Sequence, residues 1–205
     1  MIHSHPAYRR ASLYCLLLSL WSGVMACSIV PADTSTDFPF QLLMTPEDLP
    51  AEWGRAGSEA PEVPGAISRL VGFTGSTDPQ QEYLLVKHQL AVYPSEQAGK
   101  DAYSMWEQKW FPTITWQRPP EASFEPRDPS DQFRFACINV KINGFPIMTC
   151  TYLQQHRNLV SLVLVNVDGK AITLEQFEQA LKKLDERLQS VNTETPATTL
   201  ATSSP

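Results

Sequence analysis

Side chains able to do covalent or metal chemistry are few in this sequence. It holds four cysteines and four histidines among 205 residues. A metal site needs several such ligands at short spacing, and a nucleophilic cysteine or serine needs a neighbouring base. The sequence contains no Gly-x-Ser-x-Gly elbow, no His-Glu-x-x-His motif and no phosphate-binding glycine loop. We therefore predict no catalytic residue, no metal ligand and no cofactor.

Two of the histidines, His88 and His156, lie within predicted strands. A strand histidine usually finds a hydrogen-bond partner or faces solvent, and nothing in the spacing of these two requires them to meet. We expect neither to bind a metal.

The cysteines Cys137 and Cys150 flank a segment with a strong hairpin signal, CINVKINGFPIMTC. Asn143-Gly144 favours a two-residue type I′ turn, which places Cys137 directly opposite Cys150 in a non-hydrogen-bonded pair. Cα atoms in such a pair are about 4.5 Å apart, within the range of a disulfide. The same register puts Pro146 where its partner strand needs no N–H. We predict a structural disulfide, since a redox or metal pair favours Cys-x-x-Cys spacing.

The register also predicts which face of the hairpin is buried. One face carries mainly apolar residues from both strands: Ile138, Val140, Ile142, Phe145, Ile147 and Thr149. We take this face as the core side, so the disulfide is expected on the less buried face. Phe133 and Phe135 share the face of the cysteines, and either a bulge or a covering loop near Ala136 would account for them.

The first 27 residues have the layout of a secretory signal. Arg9 and Arg10 precede an apolar run at 11–24, whose length of about 14 residues is short of the roughly 20 that a spanning helix needs. The stretch that follows, Val24-Met25-Ala26-Cys27, resembles the lipobox of bacterial lipoproteins. Met25 is bulkier than the usual residue at its position.

The lipobox resemblance implies that Cys27 is diacylated and becomes the mature N-terminus. Several acyl chains would then hold the protein outside the cytoplasmic membrane of a bacterium. Cleavage without lipidation and an uncleaved anchor are the alternatives. With Cys27 lipidated and Cys15 removed with the signal, only Cys137 and Cys150 remain to pair.

Composition and charge limit the organisation and the partners. We expect a signal peptide at 1–26, a lipidated cysteine and tether at 27–40, a single domain at 41–190 and a disordered tail at 191–205. Without Arg9 and Arg10, the mature chain has 14 basic and 22 acidic residues, a formal charge of 14 − 22 = −8. This balance argues against nucleic acid and against electrostatic attraction to anionic lipids.

The periodicity of the domain predicts the order ββα-βββα. Strands are expected at 66–75 and 81–93, in the cysteine hairpin and at 158–167, and a first helix at 95–110. A second helix follows Thr173, which forms a capping box with Gln176 and is followed by apolar residues at three- and four-residue steps. The predicted class is α+β, with one antiparallel sheet of about five strands and two helices on one face.

A long proline-rich loop at 112–132 joins the two halves. Loops of this length are often functional, so we take Trp110, Phe111, Trp116 and Arg118 as a candidate contact surface. The alternative is that the tryptophans cover an open edge of the core.

Two patterns resemble exported bacterial domains. LLMTPEDLPAEW is similar to the opening of small uncharacterised exported domains. The cysteine-stapled hairpin, the valine-rich strand and the closing helix together resemble sensor-type extracytoplasmic domains of bacterial lipoproteins and receptor kinases. The resemblance implies a non-catalytic binding or accessory module for a cell-envelope ligand or a membrane protein complex. The alternative is a hydrolase of envelope material, with carboxylates gathered from separate strands.

Overall fold

The computed structural model describes residues 38–75, 85–142 and 144–190. The strands are β1 (Gly54–Glu59), β2 (Ile67–Thr74), β3 (Leu85–Val92), β4 (Gln132–Ile142), β5 (Phe145–His156) and β6 (Leu159–Val167), and the helices are α1 (Glu96–Trp110) and α2 (Leu174–Ser190). Two 3-10 turns, Phe40–Leu42 and Pro46–Asp48, precede β1. The predicted signal peptide, the lipobox with Cys27 and the C-terminal tail lie outside the described residues.

The six strands form one antiparallel sheet in the order β1-β2-β3-β6-β5-β4. The α+β class and the antiparallel sheet are confirmed, but the sheet has six strands rather than five. The additional strand, β1, pairs with β2 at one edge. All six of its residues are exposed, so it lacks the apolar alternation from which a strand is predicted.

The register predicted for the cysteine hairpin is confirmed. Cys137 lies opposite Cys150 and Ile142 opposite Phe145, with Gly144 at the positive φ of 83° that a type I′ turn requires. The two cysteines form a disulfide, and their Cα atoms are 4.0 Å apart.

The two helices lie on opposite faces of the sheet, which corrects the prediction that both pack on one face. Tyr152 belongs to the cluster that buries α2, and the next residue, Leu153, belongs to the cluster that buries α1. Val163 and Leu162 divide in the same way. Because neighbouring strand residues point to opposite faces, both faces are covered. The long apolar run of β6 fits a strand buried on both sides.

The disulfide lies on a buried face, contrary to the expectation. Cys150 is fully buried and Cys137 is 6% exposed, whereas Ile138 and Val140 are half-buried. The reason is that α2 covers the cysteine face, where Phe177 packs edge-on against Phe135 with ring centroids 5.8 Å apart. The register runs from Gln132 to Ile142 without a shift, which excludes a bulge. The face is covered by α2 together with the loop, whose Phe124 packs edge-on against Tyr152 with ring centroids 5.5 Å apart.

The caps of both helices follow the sequence signals. Ser95 accepts a hydrogen bond from Ala98 N at 3.2 Å at the start of α1. At the start of α2, Thr173 N donates to Gln176 Oε1 at 2.9 Å and Gln176 N donates to Thr173 Oγ1 at 3.2 Å, which confirms the capping box. Within the described ranges, no helix is both long and apolar enough to cross a membrane.

The packed part of the chain begins before the boundary at residue 41. Phe38 is 4% exposed and belongs to the core cluster on the α2 face. The end of the predicted tether at 27–40 is therefore packed against the domain at Phe38.

Candidate functional site

The loop between α1 and β4 is hydrogen-bonded to α2. Glu178 accepts hydrogen bonds from Ser123 N at 2.7 Å, Ser123 Oγ at 3.0 Å and Phe124 N at 3.1 Å. Further along, Asp185 accepts a bond from Arg127 N at 3.1 Å. The second half of the loop is thus held in place by two carboxylates of α2.

The first half of the loop pairs with the edge of the sheet. Gln117 N donates a hydrogen bond to Cys137 O at 3.1 Å, and Cys137 N donates one to Gln117 O at 2.8 Å. The backbone groups of Cys137 therefore point away from β5, as expected for the non-hydrogen-bonded pair with Cys150.

A pocket of about 240 Å³ opens beside this contact. Its lining comes from the loop and from the β4–β5 hairpin: Thr115, Gln117, Arg118, Pro119, Pro120, Glu121, Cys137, Ile138, Asn139 and Met148. Hydroxyl, amide, guanidinium and carboxylate groups lie next to aliphatic and proline side chains. This mixture suits a small polar ligand or a single side chain.

The four predicted contact residues divide between the core and the pocket. Phe111 is buried in the cluster under α1, Trp116 packs edge-on against it at 5.5 Å between centroids, and Trp110 is partly buried in the same cluster. Only Arg118 lines the pocket. Its guanidinium donates to Phe124 O at 2.8 Å, so its position is fixed by the loop.

Ile114 is the most exposed large apolar residue of the described chain, at 93%. It directly precedes the pocket residue Thr115. The pocket is therefore flanked by an apolar side chain that is almost fully exposed among the described residues.

A buried polar network lies where β4 begins and β5 and α2 end. Asp131 accepts hydrogen bonds from Gln154 Nε2 at 2.7 Å and Gln189 Nε2 at 3.1 Å, and its other oxygen lies 2.8 Å from His156 Nδ1. Gln154 Nε2 also donates to Asp185 Oδ1 at 2.9 Å. The network joins the end of the loop, the sheet and α2.

Tyr152 joins this network from the apolar core. Its hydroxyl donates to Gln154 Oε1 at 3.0 Å. Burial, with the nearby Asp185 and Asp131 charges, raises the pKa of Tyr152 well above its ordinary value, so the phenol remains a proton donor.

Three members of this region have the donor types of a metal site. Ligand atoms of Asp128, Asp131 and His156 lie within 4.8 Å of one another. Both oxygens of Asp131 already accept hydrogen bonds, however, and the side chains of Asp131 and His156 are 3% and 2% exposed. The arrangement satisfies the Asp131 carboxylate and Nδ1 of His156, whereas Nε2 of His156 is buried without a hydrogen-bond partner among the described residues.

The hydrolase alternative requires accessible carboxylates. Gln154 joins two of the grouped carboxylates, Asp131 and Asp185, which are 3% and 1% exposed, whereas the third, Asp128, is half-buried. A substrate has no route to oxygens that are this deeply buried. The geometry of these two residues therefore does not favour hydrolysis.

His88 is a second buried polar residue, on β3. Its Nδ1 accepts a hydrogen bond from Met44 N at 3.0 Å, and its Nε2 lies 3.0 Å from Ser161 Oγ. Burial, reinforced by the Arg187 charge, lowers the pKa of His88 to about 3. The neutral ring thus links Met44 to the centre of the sheet. Both ring nitrogens have a hydrogen-bond partner, as expected for a strand histidine.

Sequence reasoning missed the network around Asp131. One signal was present, because Asp185 falls four residues after Leu181 and three before Leu188, on the apolar stripe of α2. A charged residue at such a position predicts a buried partner.

No protein-family model matches the chain, and no curated protein matches it in sequence.

Proposed function

We propose that the protein is a bacterial lipoprotein, held outside the cytoplasmic membrane by acyl chains on Cys27, whose domain is a non-catalytic binding module for a cell-envelope ligand or a membrane protein complex. The anchor is supported by the sequence pattern at residues 24–27. The binding role is supported by the pocket beside the disulfide, and this pocket is the observation that carries the proposal.

The pocket has the properties of a pre-formed site. Its loop wall is fixed to α2 through Glu178 and to β4 through Gln117, so binding would cost little ordering of the backbone. Its lining includes Cys137, whose disulfide links β4 to β5.

The ligand chemistry follows from the lining. Gln117 and Asn139 offer both donors and acceptors, and Arg118 and Glu121 offer one charge of each sign. Such a set selects amides, hydroxyls and zwitterions over purely apolar molecules. Amino-acid amides and amino sugars, the constituents of envelope polymers and proteins, have these groups.

Binding can be tested with defined small probes on the lipid-free chain from residue 27 with Cys27→Ser. N-acetylglucosamine and a set of N-acetyl amino-acid amides are titrated while backbone amide resonances are followed by NMR. We expect at least one probe to shift the amides of Gln117 and Asn139 in a saturable manner.

A matched pair of variants locates the response. Thr115→Trp fills the pocket and should abolish the shifts. Met105→Trp, at an exposed position of α1 that is outside the lining, should leave them unchanged. Absence of any saturable shift, or equal shifts in both variants, would contradict the proposal.

A further inference from the structure

The outer edge of the sheet at β4 is only partly paired. Beyond β4 the sheet has no further strand among the described residues, and the loop covers this edge at one rung, Gln117 with Cys137. The protein therefore already adds a short extended segment to its own sheet edge. That contact uses both backbone groups of Cys137.

The next rungs along β4 face the same way. Because backbone groups alternate along a strand, the N–H and C=O of Asn139 and Lys141 point outward like those of Cys137. Their opposite residues on β5 are Met148 and Pro146, with which they form non-hydrogen-bonded pairs. Among the described residues, none hydrogen-bonds to the backbone of Asn139 or Lys141, and both residues are exposed.

The loop leaves this edge immediately before Gln117. Trp116 N donates to Thr113 O at 3.4 Å, which closes a turn and carries the chain away from β4. The place opposite Asn139 is taken instead by the pocket between Thr115 and the hairpin. The unpaired edge of β4 at Asn139 therefore lies next to the pocket, which is large enough for one side chain.

We propose that an extended peptide segment of a partner protein adds to β4 in continuation of the Gln117 rung. Its backbone pairs with Asn139 and Lys141, and one of its side chains enters the pocket. Strand addition of this kind takes affinity from main-chain hydrogen bonds and selectivity from the pocket. This inference rests on the proposed function, because it assigns the ligand class of the same pocket.

The probe is a library of random 12-residue peptides displayed on phage and selected against the full lipidated protein in detergent. Enriched sequences are synthesised and their binding is measured by calorimetry, with amide hydrogen exchange followed residue by residue. We expect the bound peptide to slow exchange of the Asn139 and Lys141 amides. The same peptide N-methylated at alternate amides should lose binding, because methylation removes the donors that face β4.

A variant of the protein separates backbone pairing from side-chain contacts. Lys141→Pro removes one outward N–H at a position that β5 does not use, and it lies outside the pocket lining. We expect it to weaken peptide binding about tenfold, the equivalent of one to two lost hydrogen bonds. Lys141→Ala keeps the backbone and should bind like the parent.

The outcomes distinguish this inference from the proposed function. If small probes bind the pocket but no peptide protects Asn139 and Lys141, the pocket is a small-molecule site and strand addition is wrong. The same conclusion follows if the N-methylated peptide binds equally well, because binding would then not use the donors that face β4. If neither probes nor peptides bind, the proposed function fails as well.

Discussion

Cys137 and Cys150 lie opposite each other on β4 and β5, with Cα atoms 4.0 Å apart, and the backbone of Cys137 bonds outward to Gln117. One residue thus links the hairpin, the disulfide and the loop that forms the pocket. Its side chain faces the core under α2, and its backbone faces the edge of the sheet.

Removal of the disulfide should destabilise the domain. In Cys137→Ala/Cys150→Ala, the free energy of unfolding should fall by about 3 kcal/mol, because the unfolded chain loses a closed loop of roughly 15 residues. Urea denaturation at neutral pH measures the change. Adding reductant to the unfolding buffer should bring the parent to the midpoint of the double variant, and an unchanged midpoint in both cases would show that the bridge contributes nothing.

His88 should make stability dependent on pH. Its pKa is about 3 in the folded protein against an ordinary value of 6.5, so below pH 6.5 the unfolded chain takes up a proton that the folded chain does not. The contribution of His88 to the free energy of unfolding therefore falls as pH decreases from 6.5 to about 3, by about 1.4 kcal/mol per pH unit.

The substitution His88→Gln isolates this dependence. Glutamine offers an acceptor for Met44 N without a titrating ring. Urea denaturation of both proteins between pH 7 and pH 4 should give a smaller slope for the variant. Parallel curves would show that His88 does not carry the pH dependence.

The network around Asp131 should not tolerate another charge. Gln154→Glu places a third carboxylate between Asp131 and Asp185 and removes the donor that joins them. We expect a loss of about 3 kcal/mol at pH 7, which becomes smaller in acid as one carboxyl takes up a proton.

A matched control for this change lies on α1. Gln97 Nε2 donates to Asp101 Oδ1 at 2.9 Å on the exposed surface, so Gln97→Glu makes the same chemical change in water. It should cost less than about 1 kcal/mol. Equal losses in the two variants would mean that burial of the network is unimportant.

Gly99 should resist replacement although it lies within a helix. A Cβ at this position would lie 2.9 Å from the backbone oxygen of Arg157 in the turn between β5 and β6. Gly99→Ala should therefore lower the free energy of unfolding by about 1 kcal/mol or more, despite the better helix propensity of alanine. Ser104→Ala, on the exposed side of α1, should be neutral or slightly stabilising; a gain at both sites would contradict the close contact.

Features set by neighbouring residues were accessible from the sequence. The hairpin follows from Asn143-Gly144, and the capping box of α2 follows from Thr173 and Gln176. Features set by distant contacts were not. β1 exists because β2 offers it a partner, and the helix positions depend on how both faces of the sheet are covered.

The same division applies to the candidate site. The loop and Arg118 were predicted, because a long segment with recognition-type residues is visible in the sequence. The pocket was not, because it depends on the pairing of Gln117 with Cys137 and on the position of Met148 across the hairpin.

The lipid anchor on Cys27, on which the proposed location outside the cytoplasm depends, is tested by the intact mass of the protein extracted from the membranes of the cells that make it, with and without reduction and alkylation. We expect the mass of a chain that starts at Cys27 and carries acyl groups, with two alkylatable thiols that appear only after reduction. A mass without lipid, or two thiols that react before reduction, would contradict the account.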